Sequence, residues 1–199
     1  MGLPVFLLVF AACTHGPPRL MVKVENARLD PAGRLIAVAV DYEKHRLPTG
    51  INTFPNGGVA KVLEKEARVY LCDLATLDVT RLAGIAPSRP LRVSFNGWIA
   101  GWDKGKIILR LTGRAGTSLA DYEKGLNEEV YRVDPHNGAV QRIDRVPENL
   151  LNSPWEGKGA VEVGNGFDTV KVKHAPSSEW VEIFGIDPAT GDLVALRNL

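Results

Sequence analysis

The chain has 199 residues, 45% of them hydrophobic, which is enough apolar material for a buried core in one domain or two small ones and too much for a disordered polymer. Its 24 Lys and Arg against 23 Asp and Glu leave a formal net charge of +1, so there is no overall basic field of the kind that gathers proteins on nucleic acid. Nucleic acid is not expected as a partner on that ground.

The first twelve residues, MGLPVFLLVFAA, are almost wholly apolar, stop at Cys13 and give way to the polar, Pro-rich THGPPR. The run is shorter than the ~20 apolar residues of a spanning helix, and it reads as a secretion signal. With Ala11 and Ala12 directly before Cys13, it resembles a bacterial lipoprotein signal. The resemblance implies that residues 1–12 are removed, that Cys13 receives lipid, and that residues 13–21 link the anchor to a domain running over 22–199. It further implies a membrane partner through the N-terminal lipid, on the periplasmic side of the bacterial cell envelope. Thr14 stands where Asp often marks retention at the inner membrane, which directs the expectation to the outer membrane. The alternative is a cytoplasmic protein in which residues 1–12 form a buried strand. With Cys13 lipidated, Cys72 is the remaining thiol, and inside VYLCDL it reads as a small buried apolar residue.

Further along, RLIAVAV (34–40) and KIILRL (106–111) are apolar at consecutive positions, which demands cover on both faces of a sheet. By contrast, VEV (161–163) and TVKVK (169–173) alternate, with Val on one face and Glu, Thr or Lys on the other, so the last sheet should keep one wet face. Between the first strands lies the longest irregular stretch, residues 43–67. Its second half, VAKVLEKEA, has the spacing of two helical turns with Val59, Val62 and Leu63 on one face. The first half carries His45, Arg46, Ile51, Phe54 and Asn56 among Pro and Gly turn residues. These five are the candidate contact for a protein partner, although Ile51 and Phe54 could instead fold back to cover the first sheet. A second insertion, 114–129, contains SLADYEKGL, a short helix with Ser118 as its N-cap.

Three segments share one pattern: RVYLCDLATLDVTRL (68–82), EVYRVDPHNGAVQRI (129–143) and VEIFGIDPATGDLVAL (181–196). In each, a short apolar run leads to an Asp, four turn-forming positions and a second apolar run. Asp73, Asp134 and Asp187 can accept hydrogen bonds from N–H groups of their own turns, and Gly138 and Gly191 can take the left-handed conformation that closes them. Leu77 holds the glycine position in the first copy, so that turn should be strained or of another type. A second hairpin precedes each of these, at 27–41, 99–113 and 161–175. The result is three units of four strands, over 22–84, 85–145 and 146–199.

LDPAGRLIAVAV followed by RVYLCDLATLDVTRL resembles the blades of TolB-like and related WD-type β-propellers. The resemblance implies an all-β fold of three four-stranded antiparallel blades and no catalytic residues. Three blades are too few for a closed ring, so the expectation is an open arc or half-propeller, with a homodimer completing six blades, or a compact β-sandwich. Burial of Lys171 and Lys173 on ring closure would be costly, which favours the open arc.

No catalytic constellation emerges. His15, His45, His136 and His174 are scattered, and none has the i, i+4 spacing of a helical metal pair, so neither metal nor other cofactor is expected. Nucleophile elbow, phosphate loop and dinucleotide fingerprint are missing. Asp41 with Glu43 and Glu128 with Glu129 are candidate carboxylate pairs. Trp98, Trp102, Trp155 and Trp180 read as core fillers that could also stack on sugars or peptides. The expectation is a non-enzymatic binding or accessory module of the envelope; the rival is an envelope hydrolase using an acidic cluster between blades.

Overall fold

The computed structural model describes residues 17–46, 61–87, 95–113, 127–151, 161–173 and 179–196. Among the described residues twelve strands form three four-stranded antiparallel sheets, each wound in simple sequence order, and none closes into a barrel or a propeller ring. The first sheet contains β1 (Arg19–Leu29), β2 (Leu35–Arg46), β3 (Lys61–Asp73) and β4 (Val79–Ile85). The second contains β5 (Phe95–Asp103), β6 (Lys106–Gly113), β7 (Asn127–Val133) and β8 (Val140–Ile143). The third contains β9 (Val161–Val163), β10 (Thr169–Val172), β11 (Val181–Ile186) and β12 (Leu193–Ala195). A short helix, α1 (Glu148–Leu151), follows the second sheet. β1 starts three residues ahead of residue 22, inside the stretch expected to be linker.

The first sheet is the middle layer. Successive side chains of a strand point to opposite faces, and residues 36–42 of β2 are buried on both faces. Ile36, Val38 and Val40 join Val170, Val172, Ile183, Phe184 and Leu193 of the third sheet. Ala37 and Ala39 join Ile99, Ile107, Leu109, Leu111 and Val133 of the second. The unbroken apolar run in β2 thus serves two cores. KIILRL is covered in another way: Ile107 and Leu109 face the first sheet, while Ile108 packs with Val130, Val146 and Leu150 of α1 on the far side. The third sheet shows one wet face, where Lys171 stands in register between Glu162 and Glu182 and its Nζ lies 3.7 Å from Glu182 Oε1.

Residues 61–67 are strand, which corrects the helical reading of VAKVLEKEA. They pair along β2 from Arg46↔Lys61 to Asp41↔Ala67, and the helix-forming Ala, Leu, Glu and Lys yield to that ladder. Val62 and Leu63 are consequently exposed. Residues 43–46 of the expected irregular stretch are likewise strand. The SLADYEKGL helix with Ser118 lies outside the described residues.

The three outer hairpins close alike. Leu77, Gly138 and Gly191 donate N–H to the carbonyls of Asp73, Asp134 and Asp187 at 2.8, 2.9 and 2.7 Å. In each turn the Asp Oδ1 accepts a second N–H, from Ala75, His136 or Ala189. These N–H groups and the side chains of Arg34 and Lys106 hold the Asp73 and Asp134 carboxyls below the ordinary carboxylate range; for Asp73 the Ala75 N–H acts most strongly, for Asp134 the Lys106 ammonium. Leu77 takes the same left-handed backbone as the two glycines, φ +61° against +68° and +71°. The first turn is therefore of the same type as the others and carries the strain, and Leu77 is held by packing on the core between the first and third sheets. Gly138 has no such freedom to exchange, because a Cβ there would meet the Leu82 carbonyl oxygen at 2.5 Å. Gly138→Ala should lower the unfolding free energy by about 2 kcal/mol or more, read as a fall in the urea midpoint at unchanged slope.

Candidate functional site

Strands β1, β2 and β3 have 11, 12 and 13 residues and outrun the sheets packed on them. No residue of 19–21, 43–46 or 61–65 belongs to a hydrophobic core cluster. This overhang is where β1 enters the fold and where the chain between β2 and β3 leaves and returns. Cross-strand partners share a face, so the register lays out three rows on the side facing the second sheet: Arg19, His45 and Val62; Met21, Glu43 and Lys65; Lys23, Asp41 and Ala67. Met21 is 61%, Val62 49% and Leu63 39% exposed. Between the two apolar rims, Lys65 Nζ meets Glu43 Oε2 at 3.1 Å.

Of the candidate contact residues, His45 and Arg46 end β2 at the root of the connection to β3. His45 is buried, with its Nδ1 lacking a hydrogen-bond partner, whereas Arg46 is exposed. Ile51, Phe54 and Asn56 lie outside the described residues, as does Cys13.

Where the second sheet begins to cover the overhang's inner row, two carboxyls meet. Asp41 is 8% exposed; its Oδ1 accepts the Gly97 N–H at 2.8 Å, and its Oδ2 finds no donor among backbone or cationic groups. The neighbour is Glu25, not the sequence neighbour Glu43, and Glu25 is itself paired with Lys23. A β-bulge makes this encounter: the register slips between Val24 and Asn26, so Glu25 and Asn26 both turn toward the second sheet. Burial, then the Glu25 charge and a hydrogen bond with Glu25, push the Asp41 carboxyl up to about 8; the Gly97 N–H and Lys23 oppose this more weakly. Both causes, burial and Glu25, favour the protonated form of Asp41. The sequence carries one sign of the bulge, a phase slip in the apolar alternation from Val22 and Val24 to Ala27.

Two further polar devices tie the layers together. Asn26 donates from Nδ2 to the Ile99 carbonyl at 2.8 Å and accepts the Ile99 N–H at 2.9 Å, so one side chain satisfies both backbone groups of a residue in the second sheet. Toward the third sheet, the Arg68 guanidinium lies 3.3 Å from the Tyr42 ring centroid and donates to Glu66, to Asp192 at 2.9 Å and to the Gly191 carbonyl at 3.3 Å. Tyr70 donates its hydroxyl to the same Asp192 oxygen at 2.8 Å, and burial followed by that carboxylate push the phenol up to about 12.

The other singled-out residues are dispersed. Glu128 pairs with Arg110, and Glu129 accepts from Tyr131. Trp102 packs on the core and donates to the Arg28 carbonyl at 3.3 Å, while Trp180 is exposed with Lys173 Nζ 5.7 Å from its ring centre. Trp155, His15 and His174 lie outside the described residues. Cys72 is fully buried and its thiol is pushed up by that burial. Among the described residues no group of three or more His, Cys, Asp and Glu could hold a metal ion, and no helix is long and apolar enough to cross a membrane.

No family model matches the chain, and no curated protein does. Among solved structures, the crystal structure of TolB from Acinetobacter baumannii is similar over 87% of this chain and 43% of that one, at 16% sequence identity and a TM-score of 0.24. The chain thus spans less than half the length of that protein.

Asn26→Ala strands two buried backbone groups and should cost about 3 kcal/mol in denaturant unfolding. For Asp41 the folded carboxyl titrates above the unfolded one, so the folded state holds the extra proton. Stability contributed by that proton is complete below about pH 4 and is lost as pH climbs toward 8. Asp41→Asn should flatten the fall in melting temperature between pH 5 and 8, and should melt no lower than the parent at pH 8.

Proposed function

We propose that this chain is a non-enzymatic binding or accessory module of the bacterial cell envelope, held on the periplasmic side of the outer membrane by lipid on Cys13. One observation supports the reading above the rest: the N-terminal end of β1 and the β2–β3 connection emerge together from an overhang that exposes Met21, Val62 and Leu63. Anchor and contact segment then belong to one end of the molecule. The partner is a protein of the envelope, met through the β2–β3 connection by Ile51, Phe54 and Asn56, with His45 and Arg46 at its root.

The hydrolase reading draws on Glu25 and Asp41, a carboxyl pair with one raised member between two sheets. A general acid must come within hydrogen-bond reach of its substrate, and the Glu25 Oε1 and Asp41 Oδ2 atoms are buried. Their position between layers supports a structural role.

The test is expression in a bacterium beside Cys13→Ser. The mature parent should begin at Cys13, carry acyl mass and sediment with outer membranes, while Cys13→Ser should keep residues 1–12 and carry no acyl mass. A photo-crosslinking residue in place of Phe54 should capture a discrete envelope protein, and one in place of Lys104 should not. An unprocessed soluble parent overturns the anchor, and crosslinking no different from the Lys104 position overturns the contact.

A further inference from the structure

We propose that the overhanging end of the first sheet rests on the bilayer itself, its occupant being an anionic phospholipid surface. The inference rests on the lipid-anchor reading of Cys13 and adds an orientation to it.

Chain length comes first. Six peptide units separate Cys13 from Arg19, and fully extended they reach roughly 20 Å. An acyl chain on Cys13 therefore confines the start of β1, and the overhang with it, to the immediate neighbourhood of the headgroups. A protein surface held that close must be either compatible with the interface or repelled by it.

The chemistry of the overhang is compatible. Met21 and Val62 share one face, Leu63 sits at the adjoining bulge in β3, and all three are exposed large apolar side chains. Segments 19–21, 43–46 and 61–65 carry five basic residues against two acidic ones, a local charge of +3 in a chain whose total is +1. The excess therefore lies at this end, and the remainder of the chain is net negative. Register places Arg19 opposite His45 and Arg46 opposite Lys61, so no acidic residue stands in register on the outermost rungs. Of the two acidic residues, Glu43 is held by Lys65, and Glu64 stands in register opposite Lys44. Apolar side chains rimmed by cations, beside an acyl anchor, are the two-signal arrangement that gives stable and oriented attachment. The excess of positive charge and the short tether favour a lipid surface over a protein as the occupant, and leave the β2–β3 connection to meet the partner at the membrane plane.

The experiment uses the full chain after processing, acylated and reconstituted into vesicles of phosphatidylethanolamine with phosphatidylglycerol. A nitroxide is placed by Val62→Cys, with Val140→Cys on the exposed edge of the second sheet as reference; acylation blocks Cys13, and Cys72 is buried. Expected is a several-fold rise in oxygen collision over aqueous nickel collision at position 62, unchanged at 140, and reduced when phosphatidylglycerol is replaced by phosphatidylcholine. Equal water accessibility at both positions in anchored protein overturns the docking. So does shielding of position 62 that arises only with native membranes and never in pure vesicles, which assigns the overhang to a protein. Mass separates the two readings: if the mature chain carries no acyl group the anchor falls, and the Cys13→Ser, Val62→Cys chain on the same vesicles decides the docking alone.

Discussion

The arrangement depends on a sheet that must bury both of its faces. In β2 the two faces differ in size: Ile36, Val38 and Val40 point to the third sheet, Ala37 and Ala39 to the second. Small side chains on one side let the second sheet approach closely. A Cβ on Gly97 would lie 2.5 Å from the Ala67 Cβ, so glycine there is a condition of the contact. At that separation a side chain can reach across to the opposite backbone, as Asn26 does to Ile99 and Asp41 does to Gly97. On the larger face no such bridge crosses the middle of the core among the described residues. The tie to the third sheet is made at its border, where Arg68 and Tyr70 meet Asp192, and by the Val24 N–H on the Phe167 carbonyl at 2.6 Å.

These polar contacts select one alignment among several that the apolar faces would tolerate. Burying aliphatic side chains is non-directional, and a flat face can slide by a residue pair with little loss. Removing a partner from Asn26 or Arg68 instead leaves a buried polar group unsatisfied, which costs more than a methylene group. Asp41 and Glu25 belong to the same set, with the difference that their alignment depends on a proton as well as on geometry.

Hairpins were the most legible feature of the sequence, because Asp73, Asp134 and Asp187 mark each turn with chemistry that is local. The twelve strands follow from that pattern and from the alternations around it. Layer order was not legible: Ile36, Val38 and Val40 announce a second covering surface without naming it, and nothing near residue 161 records that the chain returns to the free side of the first sheet. Residues 61–67 misled because their composition suits a helix and their strand pairing comes from β2, a partner outside the segment. The Glu25 and Asp41 encounter needed a bulge, whose trace is a one-residue phase slip between Val24 and Ala27.

The central position of the first sheet also bears on how the chain is made. It is complete at Ile85, and the second sheet, next in sequence, closes its alanine face by Ile143. The isoleucine and valine face stays in water until Ala195 has been synthesised, since the sheet that covers it is the last to emerge. Two thirds of the fold therefore precede the cover for the largest apolar surface, and a chain stopped short of β11 presents that surface to any neighbour. Premature termination or slow translation beyond residue 151 leaves the Ile36, Val38 and Val40 face without its cover.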